Sequence, residues 1–287
     1  MSGNVPYCPS GSGIQILTGY DYNSLETGTI TFATPFKTGT APFVFMQIEN
    51  PSNAQYVYVI MLTGTLSNTS FTYIKKWRIN SAASGEDFCW LAIGESSEIS
   101  SGNVPYCKGD TGVQILTGGN NSGLQTGSVT FNTSYPFSSG PKVFMTLVTS
   151  NAYIFSIELK GSPTTTEFSY NKHASNSGTA SGESFYWLAI GNRTGATGNV
   201  PSCPQLSGPK IFYGKYTVDI AIDTITFPTP FASAPVVLLT IIYGGNSNAV
   251  YGVTLTAVST TSFTFSKRFE INKQASGEAI WWLAIGQ

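Results

Sequence analysis

Residues 84–94 read SGEDFCWLAIG, and the chain writes the phrase twice more, as SGESFYWLAIG over 181–191 and SGEAIWWLAIG over 276–286. SGE and WLAIG recur while the three residues between them change. Within WLAIG the apolar residues fall on both faces of an extended strand, Trp90 on one and Leu91 and Ile93 on the other. A strand apolar on both faces belongs inside a molecule, covered from two sides.

The repeat extends well beyond this strand. Each copy opens on GNVP and a short apolar strand, GIQILTG, GVQILTG or GPKIFYG. TITF, SVTF and TITF follow at 29–32, 128–131 and 224–227, then Pro-Phe, then PFVFMQIE, PKVFMTLV and PVVLLTII. Short strands at 8–12-residue spacing, separated by Gly, Pro, Asn and Ser, describe a small β-sandwich or barrel. Modules are expected at 1–97, 98–195 and 196–287, each large enough for its own core. The joining segments ESSEISSG (95–102) and NRTGATG (192–198) are short, so neighbouring modules stay close.

The strands before the SGE phrases, FTYIKKW, FSYNKHA and FTFSKRF, suggest why the phrase is kept. Folded back as antiparallel hairpins, they set Phe71, Phe168 and Phe263 opposite Trp90, Trp187 and Trp282 in one common register. The same register sets Lys75, Lys172 and Lys267 opposite Glu86, Glu183 and Glu278, which reads as structural ion pairing. On this reading the drifting residues fill permissive positions. The second apolar face of each module is expected to bury against the next module, closing three of them around a threefold axis.

Composition narrows the function. Net charge is −1 and only 10% of residues are charged, so the attraction that nucleic acid or an anionic membrane needs is missing. Lys75, Lys76 and Arg78, and Lys267 and Arg268, read as hairpin decoration. No apolar run is long enough to span a membrane, and the N-terminus lacks the pattern of a signal peptide. Four Cys are too few for a disulfide scaffold, and Cys8, Cys89, Cys107 and Cys203 fit no zinc spacing. His173 is the single histidine, the repeated glutamates have lysine partners, and no hydrolase, metalloprotease or phosphate-loop motif occurs. The expectation is a non-enzymatic protein without metal or cofactor.

The ordered set ITFPTPFASAPVVLLTII (225–242), TTSF, an aromatic-basic strand and WLAIG resembles the H-type lectin module. The resemblance spans nearly all of each module and is strongest in the third. It implies a six-stranded antiparallel β-sandwich, trimeric assembly, and N-acetylgalactosamine- or galactose-type sugars bound in clefts between protomers. Related modules occur in virus fibre and surface proteins, so three copies in one chain imply a covalent pseudo-trimer, monomeric as a chain, on a virion surface or outside the cell. The family's sugar-binding Trp-His pair falls near Trp77-Arg78, His173-Ala174 and Phe269-Glu270, with Arg268 adjacent. The family's binding Arg has no counterpart in YVYVIMLTG or AVYGVTLTA. Expected partners are cell-surface glycans or, alternatively, neighbouring proteins of a particle for which the chain is a cap, spike or cement.

Overall fold

The computed structural model describes residues 3–5, 14–23, 25–49, 57–64, 66–78, 81–82, 86–95, 113–131, 137–148, 155–174, 182–192, 210–218, 220–242, 251–269, 273–274 and 278–286. These form 21 strands, with no helix among the described residues. The first module contributes β1 (Gly3–Val5), β2 (Ile14–Asp21), β3 (Thr27–Thr31), β4 (Phe43–Glu49), β5 (Val59–Thr63), β6 (Ser70–Arg78), β7 (Ser81–Ala82) and β8 (Asp87–Glu95). The second contributes β9 (Val113–Asn120), β10 (Thr126–Thr130), β11 (Lys142–Val148), β12 (Phe155–Leu159), β13 (Glu167–Ala174) and β14 (Ser184–Asn192). The third contributes β15 (Lys210–Tyr216), β16 (Ile222–Thr226), β17 (Val236–Ile242), β18 (Tyr251–Val258), β19 (Ser262–Phe269), β20 (Lys273–Gln274) and β21 (Ala279–Gly286).

Each module is a two-layer sandwich of three strands on three, and no sheet stays within a module. In the first module β2-β8-β4 form one layer and β3-β6-β5 the other. The β2-β8-β4 layer continues into β18-β19-β16 of module 3. The β3-β6-β5 layer continues into β11-β14-β9 of module 2, and β10-β13-β12 continues into β17-β21-β15. The three sheets thus link the modules cyclically, the pseudo-threefold closure expected from the doubly apolar strands. Pairing is antiparallel within modules but parallel at every seam: β5 with β11, β12 with β17 and β4 with β18. The purely antiparallel architecture expected from sequence is corrected there.

The hairpin expectation is corrected too. The ladder neighbours of β6 are β3, β5 and β7, whereas those of β8 are β2 and β4. Phe71 and Trp90 do meet, with ring centroids 5.6 Å apart, but across the two layers of the sandwich. Phe168 with Trp187 at 5.7 Å and Phe263 with Trp282 at 5.6 Å repeat the contact. The two strands lie in different layers and face each other antiparallel, so pairing by number finds the right residues in the wrong geometry. Phe32 and Phe36 complete the first aromatic cluster, as Phe131 and Phe137, and Phe227 and Phe231, do in the others.

Two repeated features follow from this packing. Each indole lies flat over the glycine it pairs with on the neighbouring strand: Trp90 over Gly19, Trp187 over Gly118 and Trp282 over Gly214. A Cβ on these glycines would come within 2.6, 2.5 and 2.7 Å of the ring, which explains the repeated glycine of LTG, LTG and FYG. The second feature is a lysine with no exposed surface: Lys75, Lys172 and Lys267 are each 0% exposed. Their Nζ atoms donate to the main-chain carbonyls of Glu86, Glu183 and Glu278 at 2.5, 2.6 and 2.7 Å. Burial pushes the Lys75 and Lys172 ammonium groups down, while the Glu86 and Glu183 carboxylates pull them back up. The kept glutamate is therefore anchored by its backbone as well as its charge. In the second copy the glycine before it, Gly182, sits at φ 107°, a conformation that glycine adopts without strain.

Gly118→Ala should lower unfolding free energy by about 1–3 kcal/mol, because the added methyl has only an indole to displace; a urea titration measures it. Lys172→Ala should cost about 3–5 kcal/mol, the range for breaking a buried charged pair, rather than the ~0–1 kcal/mol of a surface ion pair.

Candidate functional site

The residues expected to touch sugar fall toward the ends of equivalent strands, Trp77 and Arg78 on β6, His173 on β13, and Arg268 and Phe269 on β19. In module 1, Asp21, Glu49 and Asp87 are adjacent strand termini, joined by the Asp21 to Phe88 and Glu49 to Asp87 pairings. Lys76 of the facing layer lies opposite Val59, next to Lys75, whose Nζ reaches the Glu86 carbonyl. Ile14 and Glu95 pair at the other end of the β2-β8-β4 layer.

The fully buried lysines fix the correspondence between modules and correct the one read from sequence. Lys75, Lys172 and Lys267 are equivalent, so Lys76 corresponds to His173 and Arg268, and Trp77 to Ala174 and Phe269. Setting His173 level with Trp77 was a slip of one residue, which in a strand moves a side chain to the opposite face. His173 is only 6% exposed, and its Nε2 lies 2.8 Å from Oε1 of Glu158 on β12. Arg268 is 7% exposed, and Lys76 is ion-paired to Glu26. All three side chains are thus buried, His173 and Lys76 against acidic partners. The side chains of Trp77, Arg78 and Phe269, and Cys8, Cys107 and Cys203, lie outside the described residues.

Where the three modules meet lies a cavity of about 100 Å3. Equivalent residues Gln47, Thr146 and Thr240 line it, with Ser156 and Glu158. The symmetry breaks at Gln47. Its Nε2 donates to the Val253 carbonyl at 2.7 Å, and its Oε1 accepts from the Leu239 amide at 3.2 Å, tying module 1 to module 3. Among the described residues no group of three or more His, Cys, Asp or Glu could hold a metal ion.

The residues that drift between SGE and WLAIG also find their role here. Tyr186 packs edge-on against Phe43 of module 1 at 5.3 Å, and Trp281 lies under the Lys142 ammonium of module 2 at 5.3 Å. Cys89, their equivalent, donates to the Val237 carbonyl of module 3 at 3.3 Å. These positions are not permissive, as the sequence had suggested: each is cut to its own seam.

Residues 211–287 match one family model. Its description is "Putative tail fiber protein gp53-like, C-terminal", and the match runs from the first strand of module 3 to the end of the chain. No curated protein matches the chain.

Removing the His173 ring tests its assignment. His173→Ala should destabilise the protein by roughly 2–4 kcal/mol, since it strands the 2% exposed Glu158 carboxylate. A thermal melt reads the loss, and an unchanged melt would return His173 to the candidate ligand contacts.

Proposed function

We propose that the chain is a virion attachment protein of the tail-fibre kind, a non-enzymatic pseudo-trimer that meets the host surface through the Trp77 and Phe269 positions. The family match on module 3 carries this reading. The internal repeat and the interlocked sheets extend that module's architecture to the whole chain.

The sequence resemblance to H-type lectins supports a glycan as the attachment target. The corrected correspondence puts an aromatic residue at the candidate position in modules 1 and 3, Trp77 and Phe269, but Ala174 in module 2. Aromatic faces stack on sugar rings, so binding is expected at the first and third positions only. The burial of His173 and Arg268 favours a second reading, in which the chain is a cap, spike or cement that contacts neighbouring virion proteins and no sugar.

A glycan array followed by cell binding separates the two. Saturable binding that free N-acetylgalactosamine or galactose competes away, and that Trp77→Ala weakens at least about tenfold, is the expected result. Silence on glycans and on cells, with retention on particles, would establish the structural reading instead.

A further inference from the structure

The ring has three seams, and only two are spanned by the chain. Linkers join module 1 to 2 and module 2 to 3, whereas module 3 meets module 1 without a covalent tie. That third seam rests on the parallel contact of Leu255 with Glu49, on the Gln47 and Cys89 hydrogen bonds, and on Tyr20, whose hydroxyl donates to the Pro235 carbonyl at 2.7 Å.

An ionisable group stands at the parallel contact of this seam, where the other two have an aliphatic residue. Glu49 corresponds to Val148 and Ile242, each of which makes the same parallel contact at its own seam. Glu49 is 6% exposed, and its Oε1 is buried without a hydrogen-bond partner. Among the described residues, the titratable groups facing it are Cys89 and Asp87 on β8, with Tyr20 on β2 and Tyr22 just beyond it. None of them is a cation. Residues Val253–Val258 of β18 and Val236–Ile242 of β17, which pack on the other side, carry no titratable group. An ionised carboxylate here is desolvated and uncompensated, whereas a neutral carboxyl is tolerated.

We propose that the seam between modules 3 and 1 is a proton-operated latch, closed when Glu49 is protonated and loosened when it ionises. Burial lifts the Glu49 carboxyl from 4.5 to about 7; contact with Cys89 opposes the rise and Asp87 adds to it. The closed state therefore holds the proton more tightly than an opened, solvated seam does. Closure is favoured most below the solvated value and weakens as pH climbs from about 4.5 to about 7, levelling off above. The span corresponds to a change on the order of a hundredfold in the closing equilibrium.

Cys89 reports the latch, because its thiol is 0% exposed in the closed ring. In a chain carrying Cys8→Ser, Cys107→Ser and Cys203→Ser, maleimide labelling of Cys89 is followed at pH 5.5 and 8.5. Each rate is normalised to the denatured chain at the same pH, which removes the intrinsic reactivity of the thiol. Protection should be at least about tenfold lower at pH 8.5, and Glu49→Gln should abolish the difference by holding the seam closed at both. Equal protection at both pH values, or a pH dependence that survives Glu49→Gln, overturns the proposal. Should the serine variant fail to fold, hydrogen exchange on the unmodified chain decides the matter. Once corrected for intrinsic rates, residues 43–49 and 251–258 should lose protection with rising pH while residues 142–148 do not. Parallel behaviour of the three segments would equally overturn it.

Discussion

A strand that is apolar on both faces needs two partners, and most of this architecture answers that need. In β8, β14 and β21 one face carries the tryptophan that fills the module's own sandwich. The other face carries Leu91 and Ile93, or their equivalents Leu188 and Ile190, and Leu283 and Ile285, all at most 3% exposed. A single module could cover only one of these faces. Leu91, Ile93 and Phe45 of module 1 instead join one continuous core with residues of modules 2 and 3. Module 1 keeps a separate inner core around Phe71, Tyr73, Phe88 and Trp90. Closure of the ring is thus the way the second face leaves water, and the parallel seams are where the sheets continue from one module into the next.

Within that frame the buried lysines do a local job. An ammonium group taken wholly out of water is costly unless its hydrogen bonds and charge are met at once. Lys75, Lys172 and Lys267 each reach the carbonyl of the glutamate that precedes the tryptophan strand. The contact pins the chain where it crosses from one layer to the other. That is the place where a sandwich lacks ladder hydrogen bonds, so a charged tether from the facing layer fixes the entry of the strand.

How much of this was legible in the sequence depends on whether a feature recurs. The threefold repeat, the absence of helix, the facing of Phe71 and Trp90 and the association of lysine with glutamate could all be read because three copies vouch for each. The layer crossing could not be read, since an arch and a hairpin place the same residues opposite one another and differ only in ladder partners. The correspondence of His173 with Trp77 differs from the structure for a related reason: the two positions are offset by one residue, and in a strand one residue changes the face. Gln47, Glu49 and Glu158 were invisible because each stands alone, in a position where the sister modules carry something else. The triplet Cys89, Tyr186 and Trp281 carried a signal that was misjudged, variation between copies having been taken for tolerance.

That triplet has a consequence for how such a chain can change. In an assembly of three identical subunits, any substitution at the interface is made three times over and must suit all three contacts together. Joining the copies end to end removes that restriction. A thiol on a carbonyl, a phenol on a phenyl ring and an indole beneath an ammonium can then occupy one geometric position in a single molecule. Each contact is free to be refitted by one substitution and its local answer. The neighbours also become distinguishable, so the order in which they sit around the axis is written into the side chains as well as into the backbone.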